Sequence, residues 1–251
     1  MQTVKSRQPR TLLRYKGNRK TLVRADSEAA GGDSTSPLRG VTPIRQARSE
    51  ATFRALIRAG RKALDEKSFD EMTVEEIARS AGASVGAFYG RFANKEAFFS
   101  AIQELAVSDI EAQLAARLAE PEVEAASDAQ FLAAVARATV DTFRRHRGLY
   151  IASFKHSSTR PGAWTPIRQL GYTASGLIAA RLQPRLQRLG KPANEREIRI
   201  GLQFMSGLLV NAVLNDPGPL SLDDKEMDAY IARFLCSFFG VKGDGKTSSA
   251  K

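Results

Sequence analysis

Residues 72–102, MTVEEIARSAGASVGAFYGRFANKEAFFSAI, decide the fold. The stretch opens with Thr73-Val74-Glu75-Glu76, a capping-box pattern. In that pattern the Thr73 hydroxyl accepts the Glu76 amide and the Glu76 carboxylate reaches back to the Thr73 amide. Val74, Ile77, Ala78 and Ala81 then share one helical face for two turns, and Gly82 stands where a left-handed residue ends a helix. Ser84 is placed to cap the next helix, residues 85–91. There Phe88 and Phe92, four apart, anchor it to a core and leave Val85, Gly86, Ala87, Tyr89 and Arg91 largely outside. Asn94 caps a further helix running through Phe98, Ile102 and Leu105. Two short helices joined by a turn containing Gly82, crossing closely at small Ala78 and Ala81, make a helix-turn-helix.

The flanks agree with that reading. Upstream, Phe53, Leu56, Ile57, Gly60 and Leu64 recur on one stripe of an amphipathic helix of about five turns that starts near Gln46. Downstream, residues 127–146, 148–156, 163–189, 194–215 and 221–239 read as helices, with Pro184 expected to kink or divide the third. No segment alternates with period two and no repeat is present, so the fold class is all-α: an N-terminal three-helix helix-turn-helix domain and a larger C-terminal helical domain.

Composition narrows the function. The 251 residues include 38 Lys+Arg against 27 Asp+Glu, one Cys and two His. A single Cys236 excludes an intramolecular disulfide framework and a Cys-rich zinc site, and His146 and His156 are too few for a histidine metal centre. No uninterrupted apolar run approaches the roughly 18 residues of a membrane span, and no signal-peptide core stands at the N-terminus. The expectation is a soluble cytoplasmic protein without metal, cofactor or membrane partner.

The charge is uneven. Residues 1–49 hold eleven basic and three acidic side chains, so +8 of the net +11 lies there, while residues 50–99 hold eight of each. Residues 1–44 read as a flexible basic arm suited to an anionic partner, nucleic acid ahead of membrane. A solubility tail, a transit peptide or translated upstream sequence fits the same composition. The expected division is 1–44 arm, 45–93 helix-turn-helix, 94–241 helical domain and 242–251 tail.

The stretch 72–102 resembles the DNA-binding signature of the TetR (TetR/AcrR) family of bacterial transcriptional regulators. The shared features are a leading Thr, the I-A-x-x-A-G-x-S run, an aromatic-Tyr-x-x-Phe block and Lys-Glu opening the fourth helix. The resemblance covers about 55 residues from Gln46 and implies a double-stranded operator as partner. It implies that Thr73 and Ser84 offer hydroxyls and helix-start amides to phosphates, that Tyr89 and Lys95 contact the backbone, and that Val85, Gly86 and Ala87 lie nearest the base edges. Lacking hydrogen-bonding side chains, those three can read only by apolar contact or close backbone approach. Arg91 is the polar candidate for guanine or phosphate, and Arg45 and Arg48 stand where members of the family reach the neighbouring minor groove or backbone.

The same resemblance implies a homodimer that responds to a small-molecule effector not identified by the sequence, most simply as a repressor. Ile198, Leu202, Leu209 and Val213, with Ile231, Phe234 and Phe238 of the last helix, are the expected dimer face, because helices this apolar need cover on two sides. Phe143, Tyr150, Phe154, Trp164, Arg168, Tyr172, Phe204 and Met205 are the expected pocket residues, with His146 and His156 as further polar groups. Residues 157–164 read as a loop near the pocket mouth. No nucleophile motif or paired carboxylates point to an enzyme.

Overall fold

The computed structural model describes residues 43–191 and 194–243, with side chains from Ser49 onward. The arm expected over 1–44 and the tail over 242–251 therefore lie, but for their innermost residues, outside the described residues, as do the side chains of Arg45 and Arg48. Among the described residues there are ten α-helices and no strand: α1 (Pro43–Glu66), α2 (Val74–Ser80), α3 (Val85–Tyr89), α4 (Lys95–Leu118), α5 (Pro121–Glu124), α6 (Asp128–Arg145), α7 (Arg147–Ser157), α8 (Thr165–Arg188), α9 (Glu195–Asn215) and α10 (Met227–Phe239). A short 3-10 turn, Pro161–Trp164, precedes α8.

Side-chain caps start five of these helices. Thr73 and Glu76 close the expected capping box on α2, and Ser127 with Gln130 closes a second on α6. Ser84 accepts the Ala87 amide at 3.1 Å, Asn94 the Ala97 amide at 2.7 Å and Asn194 the Glu197 amide at 2.8 Å. Each such cap contributes about 1 kcal/mol. Gly82 takes φ +64 in the turn between α2 and α3, a conformation that costs a side-chain-bearing residue strain.

The helix-turn-helix is held from behind by phenylalanines. Phe88 and Phe98 are fully buried and Phe92 nearly so, with Phe88–Phe98 centroids 5.0 Å apart, Phe92–Phe98 4.9 Å and Phe88–Phe92 5.2 Å. Burying each ring stabilises the chain by about 1.5–3 kcal/mol. Gly60 lets α1 lie against this cluster: a Cβ there would stand 2.4 Å from the tip of Phe98. Both Phe98 and the cavity-lining Ile110 belong to α4, which therefore runs from the helix-turn-helix core into the body.

The body is a bundle in which α10 packs on α6, α8 packs on α4 and α9, and α7 packs on α1. Leu132, Val135, Ala136, Leu182, Ile198, Leu209 and Leu235 are its fully closed centre. At the joint between body and helix-turn-helix, Gly148 of α7 touches the α1 backbone at Leu64. Nearby, the His156 ring sits 5.1 Å from Phe69 and 5.7 Å from Phe99.

Three boundaries differ from expectation. Helix α8 runs unbroken through Pro184 to Arg188. The residues after the proline are locked from outside: Arg185 is buried, donates to the carbonyls of Val123, Glu124 and Ala126 and to Asp128, and lies over the Phe131 ring. Its guanidinium thus satisfies the carbonyls that α5 leaves orphaned, and this anchorage offsets the hydrogen bond that the proline removes. Helix α10 starts at Met227 rather than residue 221, because the preceding segment is held as a turn. There Arg144 donates to the Leu222 and Asp224 carbonyls and Arg147 pairs with Asp223 at 2.7 Å. The stretch expected as a loop at 157–164 ends in the 3-10 turn.

Candidate nucleic-acid interface and ligand cavity

Helix α3 is short and presents its front to solvent: Val85 and Tyr89 are 36% and 54% exposed, and Ser84 and Gly86 are exposed beside them. The Tyr89 ring stands edge-on to Phe88 at 5.4 Å, so the buried neighbour sets its direction. Thr73 is exposed at the start of α2, and its hydroxyl oxygen accepts the Glu76 amide. Glu76 itself is exposed and receives the Lys67 ammonium at 2.8 Å as well as the Thr73 amide at 3.2 Å. Those contacts, the Lys67 bond foremost, hold its carboxyl down at about 2. The acid that would otherwise repel DNA at this helix start is thereby neutralised by a partner on the preceding loop.

Two basic residues are engaged within the chain. Lys95 spends its ammonium on three carbonyls, of Phe69 at 2.9 Å, Met72 at 3.0 Å and Asp70 at 3.2 Å, and lies over the Phe69 ring. An ammonium has three protons, so the expected phosphate contact is replaced by a bolt that closes the α1–α2 turn. Arg91 donates to the Ala87 carbonyl and to the carbonyl and hydroxyl of Ser49, tying the end of α3 to the start of α1. A guanidinium has five donors, and these bonds use three of them. Spacing along the sequence gives no signal for either long-range bond.

In the body, α4, α6, α7, α8 and α9 enclose a cavity of about 790 Å³. Six of the eight expected pocket residues line it: Phe143, Tyr150, Trp164, Arg168, Tyr172 and Met205. Phe143 and Tyr150 stack in parallel at 4.3 Å. Phe154 is half exposed and packs edge-on against Trp164 from outside the cavity, and Phe204 is 58% exposed and faces away toward Phe238. Both were expected in the pocket on aromatic character alone; helical phase turns them out. The lining missed by sequence includes a set of polar side chains: Gln113, Arg117, Asp141, Arg145, Ser175, Arg199 and Gln203. Polar residues on the solvent half of a helical wheel look like ordinary surface until a neighbouring helix shows that they share a space. His146 is largely buried beside Arg61 and Arg145, and burial first, then those cations, pushes its pKa below the usual histidine value.

The expected dimer face is also corrected. Ile198, Leu202, Leu209, Val213 and Ile231 are buried within this chain, so they present no surface to a second copy. The apolar residues left outside are Phe204 and Leu208 on α9 with Tyr230, Phe234 and Phe238 on α10, each 37–58% exposed. Gly201 lets the two helices meet there, a Cβ at that position falling 2.7 Å from Phe239 and 2.8 Å from Phe238. Helix α9 is by length and composition apolar enough to cross a membrane, with mean hydropathy 1.2; its apolar residues serve the core, the cavity and this patch.

The fold and the exposed short helix define an all-helical protein of the helix-turn-helix class. Residues 56–102 match the family model described as bacterial regulatory proteins, tetR family. The segment that forms the helix-turn-helix is thus similar to the DNA-binding domain of the TetR family. Over 53 residues the chain is 45% identical to the HTH-type transcriptional regulator YwcC of Bacillus subtilis (strain 168), a stretch that is 21% of this chain and only 24% of that protein. Its fold is shared with a protein of Mesorhizobium loti MAFF303099 assigned to the TetR family (TM-score 0.63, 19% identity, 78% of this chain and 98% of that one). It is shared too with Salmonella enterica GusR (TM-score 0.58, 16% identity, 80% and 98%). At these identities the solved structures speak for the fold alone.

Proposed function

We propose that the protein is a homodimeric transcriptional regulator of the cytoplasm, a repressor that binds a pseudo-palindromic operator through α3 and is released when a small molecule occupies the cavity. The observation that carries this reading is the exposed front of α3, with Tyr89 and the unencumbered Val85–Ala87 edge, braced by a closed phenylalanine cluster. Bases are met by apolar contact and close approach of Gly86, and phosphates by Thr73, Ser84 and Tyr89. The helix-turn-helix is charge-neutral over residues 50–99, so the basic arm supplies sequence-independent affinity and the motif supplies address.

The second copy docks on Phe204, Leu208, Tyr230, Phe234 and Phe238, one continuous patch on two adjacent helices that a two-fold axis can make self-complementary. A ligand in the cavity touches α4, whose other end carries Phe98 and Phe99 into the helix-turn-helix core; filling it biases the setting of the reading heads.

Fluorescence anisotropy with fragments of the gene's own upstream region tests the reading. The expected result is binding at least tenfold tighter than to bulk DNA, lost on Tyr89→Ala. Equal affinity for all DNA, or no effect of that change, overturns it. Deleting residues 1–44 should weaken binding and flatten its salt dependence while keeping sequence preference.

A further inference from the structure

The cavity's chemistry narrows what enters it. Four arginines line it, Arg117, Arg145, Arg168 and Arg199, against one acid, Asp141. Two of the arginines are already paired, Arg199 with Glu195 at 2.7 Å and Arg117 with Glu120 at 3.6 Å, and Asp141 lies 3.7 Å from Arg144. Arg145 and Arg168 have no carboxylate partner among the described residues; their contacts are neutral, with Gln113 at 2.9 Å and Thr165 at 3.2 Å. Deeper in, Tyr150 is 4% exposed and lines the cavity, and its hydroxyl has no hydrogen-bond partner among the described residues. Arg61 Nε is the one buried unpartnered side-chain polar atom among the described residues, so the Tyr150 hydroxyl is open to the cavity and free to donate to a molecule bound there. Burial also pushes its pKa up, so it stays a protonated donor. Around these groups, Ile110, Leu114, Phe143, Ile167, Ile178 and Met205 form apolar walls.

From these we infer that the cavity takes an amphipathic organic anion: a carboxylate or sulfonate reached by Arg145 and Arg168, on an aromatic or aliphatic body that lies against the Phe143–Tyr150 stack and offers an acceptor to the Tyr150 hydroxyl. The inference rests on the reading of the cavity as the effector site and adds the sign of the ligand's charge. A guanidinium without a carboxylate partner gains charge-assisted hydrogen bonds from an anion and none from a neutral or cationic molecule. A volume near 790 Å³ suits a molecule of drug size, too large for an inorganic ion to fill.

Trp164, the single tryptophan of the chain, lines the cavity and reports occupancy by its own fluorescence. Two dyes with one aromatic framework serve as probes: anilinonaphthalene sulfonate, which carries an anion, and phenyl naphthylamine, which carries none. Each is titrated into the full chain with Trp164 quenching and energy transfer as readouts. The sulfonate should bind about tenfold tighter or more than the neutral dye. Arg145→Gln with Arg168→Gln should remove that preference and leave the neutral dye within twofold, Lys at both positions should keep most of it, and Tyr150→Phe should weaken the sulfonate several-fold. Equal affinities for the two dyes, or equal losses of both in the Gln variant, overturn the charge assignment while the cavity reading stands. If neither dye changes Trp164 fluorescence, the cavity itself is not a binding site and the effector reading fails with it.

Discussion

Gly148→Ala tests how the body is fastened to the DNA-reading domain. Gly148 lies in the first turn of α7, where that helix meets the end of α1. An added Cβ would stand 2.1 Å from the Leu64 carbonyl oxygen, 2.5 Å from its carbon and 2.9 Å from the Asp65 nitrogen. All three are backbone atoms, so no side chain can swing aside. To restore ordinary contact, which begins at 3.4 Å, α7 must draw back from α1 by roughly 1 Å, a large shift in a close-packed interior. Overpacking of this kind costs about 1–3 kcal/mol. The higher helix propensity of Ala returns up to about 1 kcal/mol, which leaves a net loss of about 1–2 kcal/mol. For a chain of this size each kcal/mol moves the melting temperature by about 2–4 °C, so a fall of roughly 2–8 °C is expected by calorimetry. Amide exchange should rise first at the C-terminal end of α1, the strand of contact that has been pried loose. The matched control is Gly171→Ala in α8, where nothing lies within 4 Å of the new Cβ. It should gain about 0.4–1 kcal/mol. If Gly148→Ala melts at or above the parent while Gly171→Ala behaves as expected, the α1–α7 contact is not the tight joint described above.

Three further outcomes follow from the same geometry. The Glu76 carboxyl should titrate at about 2, not near the ordinary 4.5; being depressed, its contribution to the α2 cap is present above the ordinary value and is lost as pH falls toward 2. A carbon-detected NMR titration with a midpoint near 4.5 would contradict the Lys67 and Thr73 contacts. His146 is held neutral by burial, so the unfolded chain binds its proton more readily: its contribution is intact above about 6.5 and declines as pH falls below it. The acid-side loss of melting temperature should accordingly shrink in His146→Gln, and an unchanged profile would show that this residue is not the cause. Phe234→Glu places a charge in the middle of the exposed patch and should weaken self-association by roughly 30-fold or more, as loss of a central aromatic anchor does, while helicity is retained. Sedimentation velocity showing the same oligomer in parent and variant would place the dimer contact elsewhere.

The local signals of the helix-turn-helix were legible because each is written within a few residues. The Thr73–Glu76 box, the Ser84 and Asn94 caps, the positive-φ Gly82 and the Phe88–Phe92 pair depend on contacts three or four residues apart. The fate of Lys95 depends on carbonyls 23 to 26 residues away and that of Arg91 on Ser49, 42 residues away. Hydrophobic phase along α9 marked one apolar stripe without saying which neighbour would cover it.

By itself, then, the sequence determined the helices, their caps, the helix-turn-helix and which phenylalanines stand behind it, since short-range hydrogen bonding and 3.6-residue periodicity are properties of a segment. Tertiary structure decided what each face is for. It carried α8 through Pro184 by anchoring Arg185, and it put Ile198 and Leu202 in the core while leaving Phe204 and Phe238 outside. It also gathered Arg145, Arg168 and Tyr150 from three helices around one cavity. Those outcomes depend on which helices pack together, and packing between distant segments is settled by the shape and charge of both partners at once.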